Sequence, residues 1–104
     1  MIEITLQYFD GCPNWQTTDR YMATLIAEGL DVTVDYERID SHEKAILRGF
    51  RGSPTVLLDG VDPFPIGDAP IGLACRVYRS ETGPAGSPSI SQLRNAIMRA
   101  LEDR

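Results

Sequence analysis

Residues Ile2 to Phe9 alternate, with Ile2, Ile4, Leu6 and Tyr8 on one side and Glu3, Thr5 and Gln7 on the other. A period of two specifies a half-buried strand. Asp10-Gly11 ends it, and Cys12-Pro13-Asn14-Trp15 opens a segment in which Trp15, Met22, Leu25 and Ile26 recur at helical spacing. Proline is favoured just inside a helix start, where its missing N–H has no partner to lose, and Gly29 supplies a stop after about four turns. Leu30, Val32, Val34 and Tyr36 then alternate with Asp31, Thr33, Asp35 and Glu37, a second strand. Strand, helix and strand in this order imply a parallel pair joined by a right-handed crossover.

The remaining punctuation fixes an element order. Asp40 and Glu43 have the spacing of a capping box for a short helix through Ala45, Ile46 and Leu47, ended by Gly49. Gly52-Ser53-Pro54-Thr55-Val56-Leu57-Leu58 is a proline-led strand closed by the turn Asp59-Gly60. Pro63, Pro65, Gly67, Pro70 and Gly72 exclude regular structure between Val61 and Gly72, leaving a long loop. Leu73 to Arg79 can form a further strand, and Gly83 to Pro88 is turn-like. Ser89 with Gln92 is a second capping box, opening a helix whose stripe is Ile90, Leu93, Ile97 and Leu101. The expected order is β-α-β-α-β-β-α, in a single domain spanning residues 1–104.

Charge and apolar patterning narrow the partners. Ten basic residues against fifteen acidic ones give a net charge of −5, and the arginines are scattered, so a nucleic-acid surface is not expected. No apolar run approaches the roughly 18 residues that span a bilayer, and no basic segment followed by an apolar one begins the chain, so a soluble, cytoplasmic protein is the expectation. Cys12 and Cys75 are too few for a disulfide scaffold and lack the spacing of a structural zinc site, so no metal centre and no cofactor are expected.

The order of elements and two local motifs together resemble the thioredoxin-like superfamily. Tyr8-Phe9-Asp10-Gly11-Cys12-Pro13 is similar to the end of that fold's first strand and its active-site turn. Gly49-Phe50-Arg51-Gly52-Ser53-Pro54-Thr55 is similar to its Gly-x-x-Gly-x-Pro-Thr segment, whose proline is cis. Gly11-Cys12-Pro13-Asn14-Trp15 looks like the motif of short bacterial thioredoxin-like proteins with a single motif cysteine. The resemblance spans nearly the whole chain. It implies a thioredoxin-like α/β fold, a four-stranded mixed sheet with helices on both faces, and a thiol-dependent redox activity centred on Cys12. Pro54 would then aim the backbone of Ser53 into the site, offering its N–H and C=O to a peptide or thiol ligand. Pro13, Asn14, Trp15, Ser53 and Pro54 would line the substrate position. The family's second active-site cysteine falls at Trp15, which excludes dithiol chemistry within the motif.

At a helix start a cysteine is favoured as thiolate by free N–H groups and the helix dipole, which makes Cys12 the candidate nucleophile. The expected cycle has Cys12 attack a disulfide and an external thiol resolve the adduct. Cys75 is the internal candidate for a second thiol. In the expected strand order it lies two strands from the one leading to Cys12, about 10 Å laterally at ~4.8 Å per strand and beyond the ~7 Å bridging limit, so a direct disulfide is not expected. Cys75 shares a face there with Leu73 and Val77, as a small buried apolar residue would.

Trp15 reads as a core contact that could also cover the thiol, and Asp10 as the finish of its turn. His42 lies too far along for a Cys-His pair, and Arg51 is either a surface arginine or a carboxylate anchor. The expected partners are a protein disulfide or a small thiol. The polar row Glu3, Thr5, Gln7 keeps a second class in view, a binding or assembly module with that face open or paired with a second copy as a homodimer. A soft-metal thiol site of the mercury-binding kind is a third.

Overall fold

The structure, a computed structural model, describes residues 1–64 and 68–103. The expectations for Pro65 and Gly67 lie outside the described residues. The elements are β1 (Ile2–Tyr8), α1 (Trp15–Ala27), β2 (Val32–Arg38), α2 (His42–Arg48), β3 (Thr55–Leu58), β4 (Tyr78–Ser80), β5 (Gly83–Ala85) and α3 (Ile90–Glu102).

β1 is the central strand because it alternates cleanly enough to serve two neighbours. It runs parallel to β2 from Ile2↔Val32 to Tyr8↔Arg38 and antiparallel to β3 from Ile4↔Leu58 to Gln7↔Thr55, giving the order β2-β1-β3. That register puts Ile2, Ile4 and Leu6 on the same face as Val56 and Leu58, where α1 and α3 pack with Met22, Leu25, Leu93 and Ile97. Burying each such aliphatic side chain contributes about 1.5–3 kcal/mol, which makes this face the main core. Thr18 of α1 is also buried, its hydroxyl 2.7 Å from Ser87 Oγ. Ile26, by contrast, is 44% exposed.

α2 packs beyond the C-terminal ends of β1 and β2, where Ala45 joins Ile39 and Phe50 in a second cluster with Phe9 and Ile71. Its N-cap is Ser41, which accepts from the Lys44 N–H, in place of the expected Asp40. Gly49 ends it in the left-handed region at φ 65°, where a side chain would be strained. On the outer sheet face Gln7 Nε2 donates to Glu37 Oε1 at 2.7 Å, and Arg48 Nε donates to the same oxygen at 3.0 Å. Burial by itself raises the Glu37 carboxyl, but the hydrogen bonds from Gln7 and Arg48 outweigh it and hold the group below its ordinary range.

The expected four-stranded sheet with helices on both faces is not what forms. Among the described residues the architecture is α/β with three helices, a three-stranded sheet and a separate two-stranded hairpin of β4 and β5. The competition is at β3, which is only four residues long. Its chain reverses at once through Asp59 (φ 50°) and Gly60 (φ 85°), and Leu58 and Val61 exchange both backbone hydrogen bonds across that turn. Residues 73–77 therefore do not extend along β3. Only Tyr78–Ser80 is a strand, and it pairs with Gly83–Ala85, a segment whose composition reads as a turn.

The capping box at α3 is complete: Ser89 Oγ accepts from Gln92 N–H and Gln92 Oε1 accepts from Ser89 N–H. Ser89→Ala is therefore expected to cost about 1 kcal/mol, read as a lower urea midpoint with an unchanged slope. The depressed Glu37 carboxyl contributes stability that is present above its unfolded pKa and lost as pH falls through the folded one. Glu37→Gln should flatten that acid-side decline in a pH series of melting temperatures.

Candidate functional site

The site is assembled from three segments at the C-terminal end of β1. The first is the turn after β1. Cys12 N–H donates to the Phe9 carbonyl at 3.2 Å, and a Cβ on Gly11 would run into the Phe9 ring. Cys12 does not cap α1. Asn14 is the N-cap, in helical conformation and without a side-chain capping bond, and Gln16 N–H donating to Pro13 O at 3.0 Å forms the lead-in turn. The cause is a turn closed by the Gln16–Pro13 hydrogen bond with Asn14 already in helical geometry, which leaves Cys12 two residues before the N-cap.

The second segment runs from Phe50 to Thr55. The Ser53–Pro54 peptide is cis, as the motif implies. Ser53 is fully buried, its hydroxyl accepting from the Phe9 N–H at 3.3 Å, and its carbonyl oxygen lies 3.6 Å from Cys12 Sγ. With Cys12 oxidised this last is a contact; a reduced Cys12 could donate its S–H there.

The third segment is the stretch from Gly72 to Tyr78, and it changes the picture most. Gly72 N–H donates to Phe50 O at 3.1 Å, Ser53 N–H to Ala74 O at 2.8 Å, and Arg76 N–H to Ser53 O at 2.9 Å. Ser53 and Cys75 thus form a parallel bridge. Both backbone groups that Ser53 was expected to offer a ligand are taken by the chain itself.

The approach is close enough to require Gly52. Its φ is 129°, and a Cβ there would sit 2.8 Å from Arg76 Cβ and 3.1 Å from Arg76 Cα. Arg76 anchors the segment from the inside. Its guanidinium is buried, donates to Asp62 Oδ2 at 2.6 Å and to Phe64 O at 3.2 Å, and lies 4.4 Å from the Tyr78 ring centre. Tyr78 hydroxyl donates to the Pro54 carbonyl, and burial pushes that phenol well above its ordinary range.

The consequence is a disulfide between Cys12 and Cys75, with Cα atoms 5.6 Å apart. The expectation of two cysteines about 10 Å apart, beyond bridging reach, fails because Cys75 is not on a fourth strand. It lies in the clamped segment before β4. Nor is it a buried apolar residue: Cys75 is exposed, as are Leu73 and Val77, whereas Cys12 is fully buried.

Of the other residues expected to line the site, Trp15 stacks on Tyr8 with ring centres 4.4 Å apart and packs against the main core. Pro13 is exposed, and Asn14 packs its amide against Gly86, where any Cβ would collide with it. Asp10 pairs with Arg38 at 3.0 Å, while His42 begins α2 exposed to solvent. Sequence reasoning missed Gly52, Arg76, Asp62 and Tyr78. The one signal was the second glycine of Gly49-x-x-Gly52, a position that favours close backbone approach.

Among the described residues no cluster of three or more His, Cys, Asp or Glu side chains could hold a metal, and no helix is long and apolar enough to cross a membrane. No family model, no curated protein and no solved structure matches the chain.

Gly52→Ala should destabilise the protein by more than about 1 kcal/mol, because a strained φ and a backbone contact add. It should also slow re-formation of the Cys12–Cys75 bond after reduction. Gly72→Ala, where a Cβ meets nothing within 4 Å, is the control and should change neither in urea titration or thiol-trapping time courses.

Proposed function

We propose that this protein is a thiol–disulfide oxidoreductase of thioredoxin-like type that works through the pair Cys12 and Cys75. The observation that carries the reading is the juxtaposition of these two cysteines beside Ser53-Pro54, one residue buried and the other exposed. With both cysteines in one pair, the cycle needs no external resolving thiol. The oxidised pair accepts two electrons from two partner thiols, giving the dithiol and a partner disulfide; the reverse reduces a partner disulfide. Partners are thiols or disulfides of proteins or small molecules.

The pair is suited to cycling because its second member is held in place without the S–S bond. Three backbone hydrogen bonds and the Arg76–Asp62 pair keep Cys75 beside Cys12 when both are reduced. A soft-metal role would need that reduction first, since a disulfide offers no thiolate. The assembly reading loses support on the outer sheet face, where Gln7, Glu37 and Arg48 satisfy one another.

The competing role for the bond is a structural staple, which for a 63-residue separation is worth up to about 4 kcal/mol. Equilibration in millimolar glutathione buffers of varied ratio, with alkylation and intact mass, decides between them. The expected outcome is reversible interconversion of the disulfide and dithiol forms with the far-UV circular dichroism of both unchanged. A bond that resists glutathione throughout, or a reduced chain that unfolds, identifies a staple and rejects the proposal.

A further inference from the structure

The two cysteines of the pair differ in exposure, Cys12 being fully buried and Cys75 exposed, and exchange chemistry makes that difference directional. A thiolate attacks a disulfide along the S–S axis, from beyond the sulfur it will bond to, and the rate depends on which sulfur can be reached. Beyond Cys12 lies the interior: the residue has no accessible surface, its N–H is bonded to Phe9 O, and its sulfur lies against the Ser53 carbonyl. Cys75 is an exposed residue, in a stretch where Leu73 is 39% and Val77 71% exposed.

We propose that Cys75 is the sulfur that forms the mixed disulfide with the partner and that buried Cys12 is the resolving thiol, the reverse of the roles expected from sequence. This rests on the reading of the pair as an exchange site. In the oxidised protein a partner thiol loses its proton to solvent and its thiolate bonds to Cys75 Sγ. The Cys12–Cys75 bond breaks, its electron pair goes to Cys12 Sγ, and Cys12 takes up a proton that it can donate to the Ser53 carbonyl. A second partner thiol loses its proton to solvent and its thiolate attacks the partner's sulfur, releasing a partner disulfide and a Cys75 thiolate, which takes a proton from solvent. In the opposite direction the Cys75 thiolate opens a partner disulfide and expels one half as thiolate. Cys12, after giving its proton to solvent, then attacks Cys75 Sγ and expels the other half.

Leu73 and Val77 flank Cys75 at two residues on either side, so an extended polypeptide bearing apolar side chains beside its cysteine suits this surface better than a charged small thiol.

The test uses the full chain and two single variants with a chromogenic aromatic disulfide in native buffer. Cys75 in C12S is expected to react at least about tenfold faster than Cys12 in C75S, because access to the attacked sulfur sets the rate, and the two rates should converge in denaturant. The wild-type protein supplies a second measurement free of any loosening caused by substitution. Oxidised protein is mixed with glutathione, quenched in acid and mapped by mass spectrometry, with glutathione expected on Cys75. Glutathione on Cys12, or equal or faster native reaction of Cys12, overturns the assignment while leaving the exchange reading standing. Failure of either cysteine to form a mixed disulfide rejects both.

Discussion

Two hydrogen bonds hold Ser53 between Ala74 and Arg76, and the rest of the site depends on them. They can form only because residue 52 has no side chain, since the Arg76 backbone passes where its Cβ would be. Once made, they bring Cys75 over Cys12, while Arg76 turns inward to Asp62 and Tyr78 reaches the Pro54 carbonyl. Arg76 is buried while its partner Asp62 is part-buried, and leaving that buried guanidinium without its carboxylate is costly, so the Arg76–Asp62 contact keeps the segment from drifting away.

The same clamp explains why the sheet stops at three strands. A chain leaving β3 can run back along it or lie across the start of the preceding segment. The tight turn at Asp59-Gly60 spends the first residues of the return on a single bridge at Val61. By residue 74 the chain has reached Ser53, upstream of β3, and it bonds there at one position before entering the β4–β5 hairpin. A segment with Leu73, Cys75 and Val77 at alternate positions looks like a buried strand in isolation, yet here those residues are exposed and Arg76 is the buried one.

This inversion matters for chemistry. In the proposed exchange reaction, a pair built from one turn residue and one residue of a distant segment separates two jobs. Cys12 is buried beside a carbonyl acceptor, and the clamp holds the exposed Cys75. The backbone of Ser53 is paired within the chain, so on the proposed reading recognition falls to the surface around Cys75.

Much of the scaffold was legible in the chain. The period-two alternation of Ile2 to Tyr8 and Val32 to Tyr36, the Ser89–Gln92 capping box and the stop at Gly49 are local properties, set by side chains within a few residues of one another, while the cis bond at Pro54 was implied by the family resemblance. The sequence by itself determined the strand–helix–strand unit, a cysteine at the turn beyond β1 and a glycine-serine-proline segment positioned to meet it. The tertiary structure decided that Cys75 meets Cys12, that Arg76 and not Val77 is buried, and that among the described residues no fourth strand joins the sheet. Each of these depends on one backbone choosing between two partners of similar hydrogen-bonding capacity. Steric room at Gly52 and a buried partner for Arg76 settled that choice, and both exist only after the chain has folded.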